Sequence, residues 1–385
     1  MHILFVIEYY FPHVGGAEVL LQHLAEGLVQ SGHECTVVTC KLSDTPSREM
    51  LNGVSIHRVS VPRCGDRYWF TLLAMLPSLR YARKADIIHT MVYNGAFPAK
   101  ILSLILKKPV VIHVFEVIRH NWFKIDINPL SALLFRFIEK IVLSVQYDAY
   151  SCISRNTLSL LRDWGIPSQK LFLAYPGIDY SLFDPNNKGY SRERIRRRLG
   201  IGEGRFLYSF YGRPGFMKGV DYLVKAVPLI QRNIPGSLLM LILSRKPASG
   251  YARILRTIKT LGLTIGKDII IIDPVPRPEL PAYILASDCI VVPSISEGFG
   301  FTCVEACTMD RPVVATTAGS LPEVVYGRYI LVRPADPAAL AQGIVGVHEG
   351  TYTTAAEKRF FWEDHIVQHI SAYGRLLQGM TDDGL

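Results

Sequence analysis

Short apolar runs alternate with stretches of helical spacing along nearly the whole chain. The first run, Ile3–Ile7, is followed by Pro12, the pair Gly15-Gly16, and a helical pattern from Ala17 to Val29 that ends at Gly32; Cys35–Thr39 is the next strand. Further strands are expected at Val54–Val59, Asp86–Thr90, Val110–Phe115, Ala149–Ile153 and Leu171–Ala174, with helices between them. A second series repeats the arrangement at Phe206–Tyr211, Leu238–Leu243, Asp268–Ile272, Cys289–Val292, Val313–Thr316 and Tyr329–Val332. Strands that alternate with helices form parallel sheets covered on both faces. The pattern therefore predicts an α/β chain of two doubly wound, Rossmann-like domains, at 1–182 and 205–359. Between them, 183–204 reads as a linker with a short solvated helix over the basic run Arg192–Arg198, and 360–385 reads as one long final helix.

Two helical stretches are more apolar than a solvated helix requires. Trp69, Leu72, Leu73, Leu76 and Leu79 make one stripe with Arg80, Arg83 and Lys84 beside it, and Pro129 to Val145 is apolar over most of its circumference. Core packing is the favoured reading; the sharper alternative is a basic amphipathic surface lying on a membrane. No apolar run is long enough to span a bilayer, and the N-terminus lacks the basic n-region of a signal peptide.

At 385 residues and 49% apolar, the chain has enough material for a core in each domain. Its seven cysteines include no Cys-x-x-Cys pair and read as reduced core residues, which points to the cytoplasm, at the inner face of the membrane if the apolar helices touch it. The net charge of +9 suits an anionic ligand or surface. Nucleic acid is not an expected partner, because outside Arg192–Arg198 the basic residues are scattered and no nucleic-acid motif is present.

The chemistry concentrates where Cys289–Val292 ends. Pro293-Ser294 breaks the strand, a loop carries Glu297, Gly298, Phe299 and Gly300, and a helix begins at about Phe301 and Thr302. Glycines admit a ligand close to the backbone, and the unpaired amides of a first helical turn attract an anion. Glu305 interrupts an apolar helix face and needs donors; sugar or ribose hydroxyls would supply them to Glu297 and Glu305 together, the plainer alternative being a nearby Lys or Arg. Phe206–Tyr211 leads similarly into Gly212-Arg213 and Lys218-Gly219, where Arg213 can fork two phosphate oxygens and Lys218 adds a point charge. Gly15-Gly16 is neither a dinucleotide fingerprint nor a P-loop. The chain contains no Asp-x-Asp, so no metal is expected at a diphosphate. His365 and His369 have a spacing that can hold zinc, but with no third ligand suggested they read as a solvated helix face.

The run from Pro293-Ser294 through Glu297-Gly298-Phe299-Gly300 to Glu305-Ala306, with Pro312-Val313-Val314-Ala315 and Gly319-Ser320-Leu321-Pro322-Glu323, resembles the retaining glycosyltransferases of family four. That resemblance implies the GT-B fold, two Rossmann-like domains facing across a cleft, with the final helix crossing back onto the first domain. It implies sugar transfer, without metal or cofactor, from a nucleotide-diphosphate donor, UDP- or GDP-linked, to a glycan or lipid-linked acceptor, as in cell-envelope glycan biosynthesis. By the same resemblance Arg213 and Lys218 meet the diphosphate and Glu297 the sugar hydroxyls, as the catalytic set. Glu305 holds the ribose, Gly298 to Thr302 the sugar and phosphate, and Gly15 and Gly16 face the donor. Where the family commonly has a histidine beside the donor sugar this chain has Phe115, with Glu116 after it; His113, two residues earlier on the same strand face, is the candidate substitute on the sugar or acceptor side. Asp273-Pro274 and Asp310 stand where glycines are usual, the first leaving the base open. A nucleotide-sugar epimerase of the same fold and a catalytically silent subunit of a glycan-assembly complex are the alternatives.

Overall fold

A computed structural model describes residues 1–382 apart from 14, 63, 93 and 125–127; positions 383–385 of the expected final helix lie outside it. The chain divides into two compact units, one built from residues up to Gly177 together with those from Phe360 onward, the other mainly from Ile178–Arg359.

In the first unit β1 (His2–Val6), α1 (Gly16–Gln30), β2 (Glu34–Cys40), β3 (Arg48–Leu51) and β4 (Val54–Val59) are followed by α2 (Asp66–Leu73), α3 (Met75–Ala82) and β5 (Ile87–Met91). Then come α4 (Ala96–Leu106), β6 (Val110–Val114), α5 (Pro129–Ser144), β7 (Ala149–Cys152), α6 (Arg155–Asp163) and β8 (Leu171–Leu173). The strands form one sheet in the order β3-β4-β2-β1-β5-β6-β7-β8, parallel except where β3 runs against β4. Core strands such as Ile3 to Val6 are wholly buried, which is why they read as unbroken apolar runs.

The second unit contains α7 (Arg192–Arg198), β9 (Leu207–Gly212), α8 (Val220–Asn233), β10 (Leu238–Leu243), α9 (Ala248–Thr260), β11 (Ile269–Ile272) and α10 (Leu280–Ala286). It continues with β12 (Cys289–Val292), α11 (Phe301–Thr308), β13 (Val313–Thr316), α12 (Leu321–Val324), β14 (Gly327–Val332), α13 (Pro337–Glu349) and β15 (Thr353–Ala355). Its sheet runs β11-β10-β9-β12-β13-β14-β15, with β15 antiparallel at the edge. The final helix, α14 (Trp362–Asp382), belongs to the first unit, where it packs on α1, β7 and β8. Its Ile366 sits so close to Gly27 that a β-carbon there would stand 2.0 Å from the isoleucine.

Three expectations need correction. The arginine-rich run is not a solvated linker: α7 packs on α10, and Ile195 and Arg196 are buried. Arg192 and Arg196 donate to the carbonyl of Ala286, at 3.3 and 3.0 Å, and to the Asp288 carboxylate, so cations cap the carboxyl end of α10. The stripe from Trp69 to Leu79 is two helices, and it is not core: Trp69, Leu72, Leu73 and Leu76 are exposed, Leu76 at 79%, while Leu79 packs inward. Leu130, Leu133, Leu134 and Phe137 on α5 are likewise exposed, as are Ile101, Leu104 and Ile105 on α4. Finally, His365 and His369 are fully buried rather than solvated.

Asp310 takes the left-handed conformation a glycine would adopt (φ +50°), with its carbonyl and carboxylate held by Arg328.

Candidate active site

In the second sheet the chain steps from β9 outward to β10 and β11, then returns to the other side of β9 for β12. Loops leaving neighbouring strands at such a reversal diverge, and the gap at their carboxyl ends is where α/β sheets take ligands. The two loops here are 213–219 and 293–300, the stretches that carry the candidate residues. Backbone locks them together. The Ile295 amide donates to the Met217 carbonyl at 2.7 Å, and Gly219, at φ +67°, lies so close that a β-carbon would stand 1.8 Å from the Pro293 oxygen.

On this frame Lys218 Nζ donates to both carboxylate oxygens of Glu297, at 2.9 and 2.8 Å, and Ser294 Oγ donates to Oε2 at 2.9 Å. The Glu297 side chain is largely covered and Lys218 half-exposed. The acid is also held from behind: its carbonyl accepts the Ser320 amide at 3.1 Å. Gly298 and Phe299 are buried, Gly300 caps α11 at φ +94°, and the Phe299 ring packs on Phe301 at 5.1 Å. The leading amides of α11, at Phe301 and Thr302, thus start at the same rim as Lys218 and Glu297. Arg213 is exposed in its loop with no ion pair among the described residues.

Glu305 lies one turn into α11 and is 3% exposed. Its carboxylate meets Arg277 at 3.3 Å, the plainer alternative of a nearby arginine. The Tyr211 hydroxyl has one proton for the Thr302 carbonyl at 2.9 Å or for Glu305 beside it. Burial pushes the Glu305 carboxyl up to about 7, against the opposing pull of Arg277 and then Tyr211. At the end of β11, Asp273 takes a bidentate contact from Arg245 at 2.7 and 2.9 Å.

In the first unit the strand order reverses between β1 and β5. Gly15 and Gly16 open α1 there, with Gly15 extended at φ −153°. The Glu18 carboxylate folds back over Gly15 and pairs with His13 at 3.2 Å. The helix start thus holds an acid of its own. Glu116 is half-buried just after β6. His113 is not at a ligand-facing rim: its ring is fully buried, stacked on Phe115 at 4.8 Å and on His369 at 5.5 Å.

Sequence reasoning missed several neighbours. Glu8, two residues past the end of β1, is buried with Asn94 at 2.6 Å and Arg67 at 3.7 Å, and burial raises its carboxyl. An acid ending an apolar run at a reversal point was the available signal. Tyr211 and Arg277 reach the site only through tertiary structure, whereas Ser294, part of the loop motif, lies three residues from Glu297.

Two family models match the chain, one described as Glycosyltransferase Family 4 over residues 14–182 and one as Glycosyl transferases group 1 over residues 205–349. The chain belongs to the family-four glycosyltransferases. This glycosyltransferase is 28% identical to an uncharacterized glycosyltransferase of Methanocaldococcus jannaschii, over 86% of its own length and 84% of the relative's. It is 27% identical to a D-inositol 3-phosphate glycosyltransferase of Pseudarthrobacter chlorophenolicus, over 81% and 76%. Among solved structures, sucrose-phosphate synthase from Thermosynechococcus elongatus superposes with a TM-score of 0.74 at 20% identity, over 99% of this chain and 97% of that one. Anabaena HepE in complex with UDP-glucose does so with 0.72 at 18%, over 99% and 100%. These likenesses are to GT-B proteins, and the fold of this glycosyltransferase is GT-B.

Proposed function

We propose that this glycosyltransferase transfers a sugar from a nucleotide-diphosphate donor with retention and without metal. The observation that carries this is the bidentate Lys218–Glu297 contact, buttressed by Ser294, at the reversal point of the second sheet. A diphosphate entering beside Lys218 would exchange that contact for its own oxygens, leaving Glu297 to accept from sugar hydroxyls. Arg213 and the first turn of α11 would take the remaining charge on the leaving group, which in the absence of an Asp-x-Asp pair falls to the protein. We assign no nucleophile among the described residues. In the step we favour, the bond from the anomeric carbon to the diphosphate breaks, the acceptor oxygen bonds to the same face, and the acceptor proton passes to the leaving phosphate. The complexes of HepE with UDP and with UDP-glucose favour a UDP-linked donor for the first trials.

The test is transfer from UDP-glucose and its relatives to acceptor extracts in the presence of a chelator, with product anomeric configuration read by NMR. Transfer with retention, lost in Lys218→Ala and Glu297→Ala variants that keep their fold, supports the reading. A free, altered nucleotide-sugar would make the protein an epimerase, and donor binding without turnover would make it a silent subunit.

A lipid-linked acceptor is favoured by a specific observation. Leu72, Leu76, Ile101, Leu104 and Ile105 are exposed on α2, α3 and α4, which pack on one another, and Arg80, Arg83, Lys84 and Lys107 are exposed on or beside α3 and α4. Apolar side chains rimmed by cations fit an anionic membrane surface. No helix among the described residues is long and apolar enough to cross a membrane, so such contact would be peripheral.

A further inference from the structure

The core between the first sheet and α14 contains four imidazoles that the transfer reaction does not use. His89 on β5, His113 on β6, and His365 and His369 on α14 are all fully buried. One nitrogen from each of His89, His113 and His369 lies within 4.8 Å of the others. A buried polar atom ordinarily has a hydrogen-bond partner. Yet both ring nitrogens of His113 and Nε2 of His89 and His365 have none.

The partnered nitrogens are the informative ones. His369 Nδ1 is 2.8 Å from the His365 carbonyl, and His365 Nδ1 is 3.1 Å from the carbonyls of Ala174 and Tyr175. A carbonyl only accepts, so in both rings Nδ1 carries the proton and Nε2 has its lone pair turned inward. His89 Nδ1 meets the Tyr373 hydroxyl at 2.6 Å, which can hold that ring in the same tautomer. His89 and His365 thus have one nitrogen held from outside and the other bare, the arrangement found behind metal-ligating histidines, while His369 Nε2 meets the Ser151 hydroxyl and His113 is unpartnered at both nitrogens.

We propose that His89, His113 and His369 bind a divalent transition-metal ion, zinc, as a structural staple between the sheet and the C-terminal helix. Three imidazoles without thiolate or carboxylate suit zinc among the abundant divalent ions, and exclude calcium and magnesium, which take oxygen. Closing from the present spacing to Zn–N bonds of about 2.0 Å needs rotamer movement of the rings and release of the Ser151 hydroxyl, now 2.9 Å from His369 Nε2. His365 Nε2 is the available fourth ligand; its ring lies 4.5 Å from that of His369 and 5.8 Å from that of His113. The ion would lie within the first unit, apart from the donor chemistry proposed for the second.

The test uses the full chain, stripped with chelator and titrated with Co(II) and Zn(II). Expected are about one equivalent bound, the intense visible bands of tetrahedral Co(II), and a Zn(II)-dependent rise in Tm of about 5 °C or more at a hundredfold excess over Kd. His113→Gln should abolish the Co(II) bands, and His348→Gln, outside the cluster, should leave them. Substoichiometric metal, octahedral Co(II) spectra alone, or a Tm unmoved or lowered by Zn(II) would overturn the proposal. If His113→Gln does not fold, the stoichiometry and spectrum of the wild-type chain decide.

Discussion

If Glu305 holds the donor's ribose, donor binding must expel a proton. Moving a carboxyl from its usual 4.5 to about 7 penalises the ionised form by roughly 3 kcal/mol, which burial imposes and Arg277 reduces. Between those values the folded chain binds more protons than the unfolded one at this site. Its contribution to stability is therefore present in acid and is lost as pH rises from about 4.5 to about 7. Ribose hydroxyls donate best to the ionised carboxylate, so binding should draw Glu305 into that form. At pH 6 only about a tenth of the sites are ionised, and binding releases about 0.9 proton with Kd about tenfold weaker than at pH 8. Calorimetry of UDP-glucose binding in two buffers of different ionisation enthalpy reads the released proton directly, since the diester diphosphate does not titrate in this range. In Glu305→Gln the release should vanish and Kd should become independent of pH and weaker by about ten- to a hundredfold. Arg277→Ala should move the midpoint upward, because Arg277 opposes the shift. No proton released by wild type at pH 6, or the same release from Glu305→Gln, would refute the reasoning.

Two further outcomes follow from geometry. Gly219→Ala must place a β-carbon against the Pro293 carbonyl and should cost about 2–4 kcal/mol in urea unfolding, whereas Gly200→Ala, at a similar φ of +66° in open space, should cost about 1 kcal/mol; equal losses would show that the loops do not press on each other. The exposed helices should bring the protein onto vesicles rich in anionic lipid but not onto neutral ones, with Leu72→Glu together with Leu76→Glu reducing co-sedimentation several-fold; binding unaffected by that pair would remove the membrane contact.

Both sheets were legible in the chain because strands buried on two faces show as continuous apolar runs, and Leu238–Leu243 and Cys289–Val292 fall where that signal puts them. The edge strands β3 and β15 escaped because short polar segments paired on one side carry no such pattern. The break between α2 and α3 had a sign in Pro77, which cannot donate back to Leu73, but the apolar spacing continued across it and masked it. Lys218 and Glu297 were legible because each sits in a glycine-marked loop directly after a strand. Arg277 was not: it reaches Glu305 across 28 residues through the placing of the loop after β11, which local pattern does not encode. The four histidines come from two strands and one helix, and the spacing of His365 and His369 alone suggested the opposite environment.

The layout of the first unit has a consequence for how the protein is made. Tyr373 reaches back 284 residues to His89, and α14 packs on α1, β7 and β8, so these elements of the first unit are made well before the helix that covers them. The second unit, nearly contiguous in sequence, can complete itself in between. Synthesis therefore leaves this part of the first unit uncovered while the second unit is made, and a chain broken before α14 would unsettle the first unit while leaving the second its own contacts.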